Sequence, residues 1–451
     1  MAEHPGFELE RNGGEAAAKQ VMEVSRQSRR GVLGSTAAVV GAGALAACGP
    51  TDSGGTAPQA RQPVTLKVNH RTEKYFAVRA EQFTEAHPWI TVELVPNAGY
   101  EKLVALIAAG DLGDMVWAST GVGTYFELAH QGHFLQLDPL VARDKYNLKQ
   151  FFPRAIDVAK TVEKKLYGLP NLIHPSHIGL FYNVNLFESA GVKPPTSNWT
   201  MDDLLDAAQR IKSADPNNWG MMTETAYAPL LCYLRSFGGE FLDPPTLGKQ
   251  MAIDRGPAKQ AFQFLFDLRH RHRVHPIEGV DKVSFTDGKL AMRTSGMWGM
   301  NDAKKLDGRF EMGAALIPKG PGGKRGSQGH VDMLAVGAKT AHQDEAWLLH
   351  QWFVSKETSP LLLQESGIPG ARPDAWQAAV SDMPPMFKVF KDFMDNPGPG
   401  PLAVPWNYRM LEIGQVTKEV LQPMWQGKMS VDQTIGAAMG PYQQLLDKPR
   451  P

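Results

Sequence analysis

The sequence predicts an α/β fold with room for two domains, and three observations carry that expectation. Alternating apolar runs and helical stripes follow one another from Val64 to Ala118 in the order βαβαβ. The connections between them are short, as in compact α/β units. Of the 451 residues, about four hundred remain once an N-terminal leader is set aside, enough for two domains with a core in each.

The elements follow in order. Val64, Leu66 and Val68 alternate with Thr65 and Lys67 as a strand does, and Phe76, Ala80 and Phe83 then recur at helical spacing until His87 and Pro88 stop the helix. Ile90, Val92 and Leu94 form a second alternating run. Leu103 to Ala109 reads as a helix that Gly110 ends, and Met115 to Ala118 as a short apolar strand. Such βαβ units predict a mostly parallel sheet with helices on both faces. Further along, Thr200 caps a helix with Asp202 and Asp203 in its first turn and Leu204, Leu205, Ala208 and Ile211 as its apolar stripe. Another helix runs from Ala258 to His270. Its basic end, with His270, His272 and His275, suits a helix C-terminus through the macrodipole, and no metal is expected there because no Cys or carboxylate cluster lies near in sequence. Residues 320–326 (GPGGKRG) make a turn-rich loop but fail as a phosphate loop, since Arg325 follows Lys324 where Ser or Thr is needed.

The leader carries its own signal. Arg29 and Arg30 precede a small apolar run, Val32 to Ala47, that ends in Leu45, Ala46, Ala47 and Cys48. That run is about sixteen residues, short of the roughly twenty a spanning helix needs. Residues 1–47 read as a twin-arginine export signal joined to a lipoprotein cleavage site, with Cys48 as the lipidated residue; the alternative is an uncleaved single-pass anchor. Residues 48–62, rich in Gly, Pro, Ser and Thr, read as a flexible spacer. The expected location is outside the cytoplasmic membrane, tethered to it by lipid.

Composition narrows the function classes. Acidic and basic residues balance at 47 each, so no nucleic-acid footprint is visible. With Cys48 lipidated, Cys232 has no partner for a disulfide and reads as a small buried apolar residue. No cofactor motif is present, and no hydrolase signature supports catalysis.

Four blocks, taken in order, resemble the extracellular solute-binding proteins of ABC importers, in particular the sugar-binding family that includes the maltose-binding protein. They are FTEAHPWITV at 83–92; LYGLP at 166–170 with LFYN at 180–183 and Leu186–Phe187; FTDGKLAM at 285–292 with GMW at 296–298; and WQGKMS at 425–430. Gly113, where many relatives have Pro, and Asn185, where an acidic residue is common, depart from the pattern. The resemblance implies a two-lobed periplasmic-binding-protein-like α/β fold with discontinuous lobes, 63–175 plus 331–397 and 176–330 plus 398–451. It also implies a hinge of three crossing segments, near Asn171 to His177, Gly329 to Met333 and Pro397 to Pro401, with a small ligand bound between the lobes. A sugar ligand, membrane permease subunits and a monomeric state follow as expectations.

A sugar needs flat apolar surface for its ring faces and hydrogen-bonding groups for its hydroxyls. Trp298, beside Gly299, and Trp406, beside Pro405, lie where the resemblance places ligand aromatics. His70 and Arg71 follow the first strand. Trp117, Ser119 and Thr120 lie at the carboxyl end of the third, where open α/β sheets bind ligands. Asp332 and Arg372 are further candidates that could equally form structural ion pairs, and His174 lies in the first crossing. The alternatives are a binding protein for another polar solute, such as a glycerol phosphate or its diester, which would favour convergent arginines, and an extracellular glycosidase.

Overall fold

The computed structural model describes residues 61–71, 74–96, 100–121, 124–396 and 404–449. The expected leader, lipidation site and third crossing lie outside these residues. The opening order is as read: β1 (Val64–His70), a helix Tyr75–Ala86, β2 (Ile90–Pro96), a helix Tyr100–Ala108 and β3 (Met115–Ser119). The first helix buries Phe76, Ala80 and Phe83, the stripe its spacing dictates. Gly110, at φ +69°, takes the left-handed conformation that closes the second. β1 pairs in parallel with β2 from Val64 opposite Ile90 to His70 opposite Pro96, and with β3 from Val68 opposite Met115.

Two sheets organise the remainder. β4 (Gly168–Pro175) leads into β5 (Gly179–Asn183), followed by β6 (Trp219–Met222), the short ribbon β7 (Leu242–Asp243) and β8 (Gln250–Met251), β9 (Leu290–Ser295), β10 (Met312–Leu316) and β11 (Gly329–Val336). The first lobe holds β2-β1-β3-β11-β4 and the second β10-β5-β9-β6. The first sheet is mostly parallel, as the βαβ units predict, since β1, β2, β3 and β4 run the same way, but each sheet holds one reversed strand. β11 is antiparallel to both β3 and β4, while β5 is antiparallel to both β9 and β10. The reason is the crossing itself: the chain leaves one lobe along β4 and β5 and returns beside them along β10 and β11, and two passes in opposite directions can pair only as antiparallel strands. The ladder runs on through the hinge, with Gly179 opposite Leu316, Ile317 N–H on Ile178 O at 2.7 Å and Ser176 N–H on Gln328 O at 3.0 Å, and Pro175 opposite Gly329.

In the second lobe the helix Met201–Ala214 packs on β6 and β9, while Gly256–His270, Met410–Trp425 and Val431–Leu446 pack on one another. Thr200 is the N-cap expected at Met201–Ala214, and with Asp203 it completes a capping box, each accepting the other's backbone N–H, at 3.3 and 2.8 Å. Leu204, Ala208, Phe262 and Ile435 are fully buried in its core, as Leu66, Phe76, Met115 and Val331 are in the first lobe. Cys232 is buried as expected, its thiol donating to Ser176 O at 3.6 Å, and burial pushes that thiol up to about 12. No helix among the described residues is long and apolar enough to cross a membrane.

Candidate ligand cleft between the lobes

The carboxyl ends of β1 and β3 meet β11 at one polar corner. Because β11 runs antiparallel to β3, Asp332 lies opposite Ser119 and on the same face as Trp117. Asp332 is 6% exposed. Burial pushes its carboxyl above the usual range, and Arg71, the Ser119 hydroxyl and the Trp117 indole N–H counter that shift by facing or donating to the carboxylate. The Arg71 guanidinium also lies over the Trp117 ring, 5.0 Å from its centroid. Thr120 is fixed by reciprocal bonds to Val331: its hydroxyl oxygen accepts from Val331 N at 3.0 Å and its own N–H donates to Val331 O at 3.1 Å. His70 is buried beneath, 4.8 Å from the Phe76 ring.

A second group forms where the crossings run side by side. Trp298, half-buried on the turn after β9, meets His174 and His177 of the first crossing edge to face, at 5.3 and 5.0 Å between ring centroids. His330, at the start of β11, lies 5.6 and 6.0 Å from the same two rings. Burial keeps all three imidazoles neutral, pushing His174 down to about 4, His177 to about 3 and His330 well below its ordinary value.

Between the lobes lies a cleft of about 300 Å³, walled on one side by Thr120 and Gly121 and on the other by Ala226 to Ala228, Pro405, Met410 and Lys418. Ala226 begins the helix Tyr227–Ser236 with no side-chain cap, so backbone N–H donors of the first turn are available at the wall. Trp406 stands behind Pro405, 3% exposed. It stacks on Phe126 of the first lobe at 5.1 Å and 26°, and its indole N–H finds no acceptor among the described residues.

The structure thus brings Arg71, Trp117, Ser119, Thr120 and Asp332 together at one corner and sets Trp298 against the hinge histidines. Trp406 it buries against Phe126. Arg372 it engages elsewhere, with Asp374 at 2.7 Å and with Gln150. Sequence reasoning missed His177, His330 and the helix start at Ala226. The available signal was that both crossing segments carry histidines, in HPSH at 174–177 and GHVD at 329–332.

Comparison with known proteins identifies the family and the fold. A putative binding protein of Brucella abortus is 25% identical over 395 residues, covering 84% of this chain and 91% of that protein. A multiple sugar-binding protein of Streptococcus mutans is 22% identical over 331 residues, covering 68% and 74%. Among solved structures, an ABC substrate-binding protein of Listeria monocytogenes in complex with cycloalternan superposes with a TM-score of 0.75 at 17% identity, over 86% of this chain and 100% of that one. Residues 69–359 match the model of the bacterial extracellular solute-binding proteins, and the chain belongs to that family.

Proposed function

We propose that the protein is the lipid-anchored capture component of an ABC importer and that it binds a mono- or oligosaccharide in the cleft between its lobes. The observation that carries this reading is an interlobe cleft whose first-lobe wall is Thr120 and Gly121, with the Trp117, Ser119 and Asp332 corner adjoining Thr120 and the His330 ring covering Gly121. Aromatic surface beside mixed donors and acceptors matches the two-sided chemistry of a sugar. The one guanidinium at that corner, Arg71, faces Asp332, which suits an uncharged ligand better than a phosphate, whose recognition favours convergent arginines. The names of the Streptococcus relative and the cycloalternan complex support the same class.

In this reading the protein carries no chemistry of its own. A ligand that touches both lobes stabilises the closed arrangement more than the open one, and that difference in affinity shifts the equilibrium toward a form the permease recognises. Export by the twin-arginine route and a lipid on Cys48 hold it at the outer face of the cytoplasmic membrane. A thermal-shift screen of sugars, polyols and glycerol phosphates tests the proposal. A sugar at about a hundred times its dissociation constant should add about 2.7 kcal/mol. Stabilisation by glycerol phosphates alone overturns the sugar reading.

A further inference from the structure

His177, buried, and His330, half-buried, each carry one ring nitrogen that the described residues leave without a partner. The Nδ1 of His177 and the Nε2 of His330 are both buried and have no hydrogen-bond partner among the described residues. Folded proteins leave few such atoms, and those they leave call for an explanation. His330 uses its other nitrogen, Nδ1, with the Ser176 hydroxyl at 3.2 Å, so its ring is oriented and only Nε2 awaits a partner. His177 is 9% exposed and holds φ at +54°. A left-handed backbone is unfavourable for a residue with a Cβ and persists where the surroundings enforce it. Here it sets the His177 ring against Trp298.

The place of this pair relates them to the cleft. His330 covers Gly121, which lines the cleft wall: a Cβ at residue 121 would stand 2.3 Å from His330 Nδ1. Only glycine leaves that ring its position. His177 comes from the first crossing, His330 from the second and Trp298 from the second lobe, so a molecule bound among them touches both hinge strands and a lobe at once. A neutral imidazole carries one donor and one acceptor nitrogen. A hydroxyl group is likewise donor and acceptor, so it can pair with either nitrogen in either tautomer.

We propose that His177 and His330 are ligand-binding residues that hydrogen-bond hydroxyl groups of the captured molecule beside the edge of Trp298, tying ligand recognition directly to the two hinge strands. The proposal rests on the sugar-capture reading above and names the residues that read the hydroxyls.

Two measurements test it, using the sugar that gives the largest thermal shift with the full chain. In protein labelled with ¹⁵N-histidine, the ring nitrogens of His177 and His330 are expected to shift on saturation, while those of His275 and His350, buried in other parts of the fold, stay in place. By calorimetry, His177→Phe and His330→Phe, which keep a ring beside Trp298 but remove the polar nitrogens, are each expected to weaken binding about tenfold, the scale of one hydrogen bond. The empty variants should melt no lower than the parent, since a buried polar atom without a partner has been removed. Should phenylalanine prove too bulky to fold, His177→Asn and His330→Asn keep one donor and one acceptor and should retain more affinity than the alanine variants. Ring nitrogens that do not move, together with full affinity in the phenylalanine variants, overturn the proposal while leaving sugar capture intact. A wild-type chain that binds no sugar or polyol overturns both.

Discussion

Alanine at Trp406 and alanine at Trp298 are expected to have opposite consequences. Trp406 is 3% exposed and stacks on Phe126 across the lobes, so truncation empties a buried site and should cost about 3 to 5 kcal/mol of folding free energy. Residues 61–451 form one compact unit. At about 2.1 cal/mol/K per residue, its unfolding entropy is near 0.8 kcal/mol/K, and the loss becomes a fall of about 5 °C in melting temperature. Trp298 is half-buried, with its edge on His174 and His177. Removing it should lower the melting temperature by no more than about 2 °C while weakening sugar binding roughly thirtyfold, or about 2 kcal/mol. Melting curves of the empty variants and calorimetry with the same sugar separate the two effects. A Trp406→Ala protein that melts with the parent but has lost its sugar, or a Trp298→Ala protein that is unstable yet binds normally, would refute this assignment of roles.

Acid should destabilise the fold before it reaches the carboxylates. His174, His177, His275, His330 and His350 are all held below their ordinary pKa by burial. The unfolded chain therefore takes up protons first, and stability is lost as pH falls below about 6.5. His174 and His177 alone should each cost about 2 kcal/mol at pH 5. Glu127, pushed up to about 7 by burial and by Glu412, acts in the other direction and offsets part of the loss. A melting temperature that holds or rises from pH 7 to pH 5 would contradict this. At the leader, Cys48→Ser should release the protein from the membrane fraction with its fold unchanged; a variant still tightly bound would bring back the uncleaved anchor.

Local signals were legible in the sequence and distant ones were not. The stripe of Phe76, Ala80 and Phe83 and the Thr200 N-cap follow from a few neighbouring residues, and both stand in the structure. The antiparallel place of β11 depends on a chain that returns from the other lobe to pair with β4, which no local period encodes. The corner of Trp117, Ser119 and Asp332 was accessible because strand ends in α/β sheets are where ligands bind. Its inner order, with indole and hydroxyl donating to one carboxylate, required the register of β3 on β11. The burial of Trp406 depends on Phe126, far away in sequence. The histidine group is invisible until both crossings are known to run side by side. Arg372 shows the converse case, since the structural ion pair weighed as its alternative role is made with Asp374, only two residues on.

Small-angle scattering of the purified protein, empty and saturated with the sugar that gives the largest thermal shift, tests capture by closure most directly. The cleft lies between two lobes joined by paired strands, so a ligand that bridges them should shift the population toward a closed form with a smaller radius of gyration. An unchanged radius at saturation would contradict closure, and the absence of any stabilising sugar would contradict capture itself.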